Sequence, residues 1–372
     1  MKKMVLLQGI VCILLCIFCI AIEGQCVRES AIPEKAEYQG KKVRVLLKNE
    51  KINESNYHGK VRIKRTCGKK ERINEVSLEE YLYGVVGSEM PSSYPIEALK
   101  AQAVCARSYA LCRMKNPAAK QYDMDDTTAY QVYSPQNETE EVREAVDATK
   151  GEVLFYGNVP AETFFFSTSC GLTTDADVFR GKGDAYPYIS PKIVGEFERD
   201  SFSDDFSKEE VFRKYITGDG AGAWEENEKW FRWSTKICLK RLNPQGIRDG
   251  KAKELKVKRR GAGGVVECII ISDGKNMVEI EGEYEVRCLL AQAAETIVLN
   301  DGTETSCTGL LPSAYFVLEE SNRKDEIEVL GGGYGHGAGM SQNAAKAMAE
   351  QGMEYREILA FFFDGAELVT MK

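Results

Sequence analysis

The sequence predicts an α+β protein, with strands and helices mixed and without the βαβ alternation of a parallel sheet. Three observations carry that expectation. Apolar and polar residues alternate in KVRVLL (42–47) and VRIKRT (61–66), the period of half-buried strands. After Ser77 the apolar residues switch to the 3–4 spacing of a helix. Near the C-terminus the strand-like DEIEVL (325–330) runs into a glycine-rich loop and then a helical stretch. No internal repeat of roughly 20–50 residues is present, so solenoids and propellers are not expected.

The first elements are the clearest. Lys2 and Lys3 precede an uncharged stretch from Met4 to Ile22, with Glu23 just after it. At ~1.5 Å per residue the stretch reaches ~28 Å, about the hydrocarbon thickness of a bilayer. The expectation is one N-terminal transmembrane helix, with residues 1–3 as a cytoplasmic tip and the bulk of the chain extracytoplasmic. A cleaved signal peptide is the alternative; against it, the run exceeds the usual ~7–15 residues and 21–26 offers no A-x-A site. Residues 23–41 read as a linker.

Ser77 and Glu80 form an S-x-x-E capping box, with Val76 and Tyr81 at the staple positions. Leu78, Tyr81, Leu82, Val85 and Val86 make one stripe that ends before Pro91. Pro95 opens a second helix over 96–114, rich in alanines that let other backbones come close. EVLFY (152–156) and AETFFFS (161–167) read as buried strands. Phe206, Ser207, Glu210 and Val211 repeat the staple and cap, which predicts a helix over about 208–216. Strands follow in GVVECIIIS (264–272) and NMVEIEG (276–282), and two helices close the chain. The basic run from Lys251 to Arg260 reads as a solvated hairpin face.

Composition narrows the function. With 372 residues, 43% apolar and 28% charged, the chain can bury a sizeable core, which excludes whole-chain disorder and small disulfide scaffolds. Its 49 basic and 57 acidic residues leave a formal charge of −8, which repels phosphate backbones, so nucleic acid is not an expected partner. Of twelve cysteines, Cys12, Cys16 and Cys19 lie in the apolar stretch and an odd nine remain, which favours thiols over a disulfide framework. Cys105 and Cys112, two helical turns apart at ~10 Å, are beyond the ~7 Å reach of a bridge.

One turn beyond the first stripe lies Glu89, in VVGSEMP: residues 78, 82, 85 and 89 keep the same spacing. A carboxyl aimed at the core has its pKa raised by desolvation, and a carboxyl that keeps its proton near neutral pH is a general acid. An exposed glutamate at a helix end is the alternative.

Four segments, SLEEYLYGVVGSEMPSSYPIEALKAQAVCARSYAL (77–111), DDTTAYQVY (125–133), STSCGLTT (167–174) and GYGHGAGMSQNAAKAMAEQG (333–352), resemble in order the signatures of the stage II sporulation protein D family, which includes the amidase enhancers. Weaker similarity extends from Val43 to the C-terminus. The resemblance implies a catalytic region over 42–195, a strand-rich second region over 196–309, and a C-terminal part over 310–372 that completes the catalytic unit. It also implies a membrane-anchored lytic transglycosylase acting on peptidoglycan, with Glu89 as the catalytic residue. A wall amidase and other sporulation membrane proteins are the partners it suggests, and a non-enzymatic amidase enhancer is the alternative function.

Arg107, Tyr109, Gln131, Tyr133, Ser167, Ser169, His336, Ser341 and Gln342 match family motif positions and are candidates to line a sugar groove. GYGHGA (333–338) also fits a relaxed dinucleotide fingerprint, a weak match better explained by tight turning. Some family members hold zinc with cysteine and histidine near the serine-rich segment. Here Phe164, Phe165 and Phe166 stand where a histidine would be and Cys170 is alone, so no metal or other cofactor is expected. A Cys170–His336 nucleophilic pair is the third alternative; no cationic residue near Cys170 in sequence lowers its pKa.

Overall fold

The computed structural model describes residues 40–49, 51–66, 69–179, 185–196, 205–247 and 250–371. The predicted tip (1–3), anchor (4–22) and linker up to residue 39 lie outside the described residues, and no described helix is long and apolar enough to cross a membrane. All described elements belong to one unit, Glu37–Lys372.

The chain opens with β1 (Lys42–Leu47), β2 (Lys60–Thr66) and β3 (Lys69–Ser77), followed by helices α1 (Leu78–Glu89) and α2 (Ile96–Lys115). Next come β4 (Met124–Asp125), α3 (Glu140–Ala148), β5 (Glu152–Tyr156), β6 (Val159–Pro160), β7 (Phe165–Phe166) and α4 (Glu209–Ile216). The strand-rich stretch holds β8 (Trp233–Cys238), β9 (Glu254–Arg260), β10 (Val266–Ser272) and β11 (Met277–Glu281). It continues through α5 (Glu283–Ala291), β12 (Ala294–Leu299), β13 (Glu304–Ser306), β14 (Phe316–Glu320) and β15 (Glu326–Gly331). The C-terminal elements are β16 (Met340–Ser341), α6 (Gln342–Glu350), α7 (Tyr355–Phe362) and β17 (Glu367–Thr370). Strands and helices are mixed, as an α+β class requires.

Five sheets result, in the orders β2-β3-β1-β4, β11-β10-β9, β13-β12-β8-β15-β14, β16-β7 and β17-β5-β6. β3 runs straight into α1, because Ser77 ends the strand and caps the helix: its side chain accepts from Glu80 N and donates to Glu80 Oε2 at 2.6 Å. The α1 stripe of Leu78, Tyr81, Leu82, Val85 and Val86 is buried as predicted. α2 lies at the centre of the core, buried from Ala98 to Cys112 except at Lys100. Its alanines are why α1, α3, α6, α7 and β5 can all pack on it.

Two glycines of α1 set how closely the segment after β4 approaches. A Cβ on Gly84 would sit 2.6 Å from the Tyr133 ring, and one on Gly87 only 2.0 Å from the Asn137 carbonyl oxygen. Hydrogen in place of a side chain therefore lets 131–137 lie against the helix that ends at Glu89.

Two local expectations are corrected. Residues 161–167 form only the two-residue β7, because Glu162 N donates to the Tyr188 hydroxyl instead of a strand and the parallel pairing with β16 covers only Phe165 and Phe166, with Phe164 O accepting from Met340 N at its edge. The helix α4 forms where predicted but without the Ser207 cap, since Ser207 Oγ turns back to Asp205. In the basic run, Lys256, Lys258, Arg259 and Arg260 each meet a carboxylate, of Glu254, Glu279, Glu281 and Glu209 respectively.

Candidate functional site

Glu89 is the last residue of α1 and is half-buried. Its Oε1 accepts from Val132 N at 2.6 Å, the contact that the glycine-faced approach of 131–137 makes possible. Gln342, the first residue of α6, also hydrogen-bonds the carboxyl. Although the residue keeps some surface, the carboxyl group itself is closely surrounded. Desolvation outweighs both hydrogen bonds and raises its pKa from 4.5 to about 7.

Gln342 is held in turn by Gln102 of α2, whose Oε1 accepts from Gln342 Nε2 at 3.4 Å. The neighbouring Asn343 donates from Nδ2 to Thr168 Oγ1 at 2.9 Å and accepts from the Tyr94 hydroxyl. Ser341 donates to Glu225 Oε1 at 2.7 Å, and Ser169 donates to Glu225 through its hydroxyl and, at 3.0 Å, its backbone N–H. Glu225 is 1% exposed, and burial raises its pKa to about 7 against those hydrogen bonds. It clamps the serine-rich segment to the start of α6 and so fixes Gln342 beside Glu89.

The structure thus brings together Glu89, Gln342, Ser341 and Ser169 from the predicted set. Ser167 joins through its carbonyl, which accepts from Asn343 N at 3.0 Å. The others lie elsewhere. Arg107 is fully buried in a two-pronged ion pair with Glu79, 2.8 and 3.0 Å. Tyr109 packs edge-on to Phe164. Gln131 bridges the Tyr81 hydroxyl and the Ala106 carbonyl, and Tyr133 donates to Asn74 while packing on Tyr81. His336 sits among Phe164, Phe166 and Phe179. Its Nδ1 accepts from Ala338 N at 3.1 Å, so Nε2 carries the hydrogen and donates to the Phe165 carbonyl at 3.1 Å. Burial, helped by the Arg287 guanidinium, lowers its pKa to about 4, which leaves it neutral.

Sequence reasoning missed Glu225, Asn343, Tyr94 and the Val132 N–H. Asn343 and Tyr94 lay inside the quoted motifs, whereas Glu225 stands in WEENEKW (224–230) with no periodic or spacing cue.

Both ring nitrogens of His336 are committed, so it forms no pair with Cys170. That thiol is fully buried, and desolvation pushes its pKa up to about 12. Its surroundings, with Arg232 and Glu225 acting on the thiol and the Tyr215 hydroxyl donating to the Cys170 carbonyl, do not fit the tetrahedral nitrogen and sulfur set of zinc. Cys170→Ala is expected to leave activity unchanged, and the native thiol to resist alkylation, as read by mass spectrometry after iodoacetamide treatment.

This mixed α+β body, with the raised-pKa carboxyl of Glu89 at the end of α1 beside a serine-rich segment and a glycine-rich loop, is similar in sequence to sporulation proteins. The profile described as stage II sporulation protein matches residues 66–156, which include Glu89 and Val132, and a domain of unknown function matches 176–339, which include Glu225. Stage II sporulation protein D of Bacillus subtilis is 29% identical over 315 residues, covering 80% of this chain and 76% of the relative. An uncharacterized protein of Brachyspira hyodysenteriae is 29% identical over 305 residues, covering 80% and 68%. The amidase enhancer of Bacillus subtilis is 27% identical over 303 residues, covering 78% of this chain and 40% of the relative. Residues 66–156 thus carry the stage II sporulation protein domain, and about 80% of the chain is similar to stage II sporulation protein D.

Proposed function

We propose that this protein is a lytic transglycosylase that cuts peptidoglycan glycan strands between N-acetylmuramic acid and N-acetylglucosamine during sporulation engulfment. The observation that carries this reading is Glu89, a carboxyl with a pKa of about 7 on which no neighbouring carboxylate acts. Below that pKa it holds a proton to give to the glycosidic oxygen as the bond to the anomeric carbon breaks. The resulting carboxylate then takes the proton of the muramyl 6-hydroxyl while that oxygen bonds to the anomeric carbon. A 1,6-anhydro ring closes, the carboxyl is restored and no water is consumed. Val132 N–H and the Gln342 amide steady the charged form between the two steps.

A paired-acid glycosidase needs a second carboxylate ~5–9.5 Å away and open to the sugar or its water. Glu225, the other buried carboxyl of the site, has both oxygens taken by Ser169 and Ser341. The stretch 4–22 would hold the protein in the membrane as a single-pass anchor with its catalytic body outside, facing the wall. The name of the amidase enhancer relative supports a second reading, stimulation of a separate wall amidase.

The test is to incubate the full chain with purified peptidoglycan and analyse the products by mass spectrometry. New 1,6-anhydro-muramyl ends are expected. New reducing ends instead would mean hydrolysis and end the intramolecular mechanism, and no cut, with faster amide cleavage by an added amidase, would favour the enhancer.

A further inference from the structure

A cleft of ≈ 790 Å3 lies outside the immediate surroundings of Glu89, and all but one of its lining residues, Thr128, fall within 178–336. It contains an aromatic platform: the Trp230 and Tyr334 rings pack at a tilt of 40° with centroids 4.5 Å apart, and Tyr334 remains 44% exposed. Tyr284, 59% exposed, also lines it. The buried Glu283 and Arg287 pair at 3.2 Å and cancel, and His336 is neutral, so among the described residues Glu285 is the only other charged one in the lining. Hydroxyls of Thr305, Ser306 and Thr308 complete the polar part.

Two routes join this cleft to Glu89. Asn343, next to Gln342, hydrogen-bonds Thr168, and Thr168 exchanges backbone hydrogen bonds with Tyr334 at 2.8 and 3.2 Å. On the other route Thr128 lies four residues before Val132, whose N–H meets the Glu89 carboxyl. Exposed aromatic rings beside hydroxyls, with little net charge, match a ligand that has both apolar C–H faces and many hydroxyls. A sugar ring is such a ligand.

We infer that this cleft is a saccharide-binding site that grips the glycan strand away from the bond being cut, with Tyr334 on Trp230 as the stacking platform. The inference rests on reading Glu89 as the residue that cuts the strand. It gives the region 176–339 a task, namely to favour long strands over short ones. The strand lies across the Thr168–Tyr334 bridge, and its distal sugars fill the cleft.

The test measures binding without turnover, by calorimetry on the full chain carrying Glu89→Gln, with peptide-free glycan strands of two and of six or more sugars. Tyr334→Ala is expected to weaken the long strand about tenfold and leave the disaccharide unchanged, Tyr334→Phe to bind like the parent, and Tyr284→Ala to weaken the long strand as well. Equal affinity for long strands in parent and both alanine variants would overturn the inference, as would no binding by the parent. Product analysis of the protein with Glu89 intact separates this from the catalytic reading. Anhydro ends with no Tyr334 effect would end the inference alone. Tyr334-dependent binding without anhydro ends would end the catalytic reading alone.

Discussion

Replacing Glu89 by glutamine is expected to lower glycan cleavage by about 10²–10⁴-fold, the range a positioned general acid contributes, while strand binding persists. The glutamine can still accept from Val132 N–H but has no proton to give. In the parent, activity is expected to fall as pH rises through about 7, where the carboxyl loses its proton. The stability effect has the opposite direction. The folded pKa lies above the unfolded one, so the folded state holds an extra proton between about 4.5 and 7, and Glu89 destabilises the fold increasingly as pH rises through that window. Once the group is fully charged the penalty is on the order of 3 kcal/mol. Glu89→Gln is therefore expected to melt at the parent's temperature near pH 4 and several degrees higher near pH 8. Glu225 titrates in the same range, so the variant keeps part of the parent's pH dependence. Scanning calorimetry at the two pH values checks this. A lower melting temperature at pH 8 would make Glu89 an anchor for Val132 rather than an acid.

What the sequence made legible follows from local signals. The cap at Ser77, the 3–4 stripe and the stop at Pro91 place α1 and put Glu89 at its end, because each acts within one or two helical turns. The clamp around that carboxyl was not legible, since Glu225 reaches partners 56 and 116 residues away in sequence. Nothing local to Glu225 marks it. The motif residues of α2 illustrate a different limit. Arginine and tyrosine suit a sugar groove, yet the alanines around Arg107 and Tyr109 draw neighbours in on every side and leave both with no open face. The same alanines were read as permitting close packing, and the loss of surface is its consequence. Ser207 likewise has the right residue type for a cap, but Asp205 competes for its hydroxyl.

Removing the carboxylate that faces Arg107 is expected to give the largest loss of stability. Arg107 is fully buried, and besides pairing with Glu79 it donates to the carbonyls of Ala103, Val146 and Glu152 and to the Thr149 hydroxyl. These tie α2 to the end of α3 and to β5, while Glu79, in the first turn of α1, supplies the negative charge and also accepts from Gly151 N. Glu79→Ala removes the carboxylate that pairs with a buried guanidinium, and breaking a buried ion pair from one side costs about 3–5 kcal/mol. At roughly 1–2 °C per kcal/mol for a chain of this size, melting should drop by about 3–10 °C. Replacing both partners with methionine removes the buried charges together and should recover part of the loss. The comparison also decides what Arg107 is for. A groove arginine, when changed to methionine, raises KM for glycan and leaves melting alone. An arginine that locks three helices and a strand together lowers melting and shifts KM little, and the double variant then sits closer to the parent than either single one.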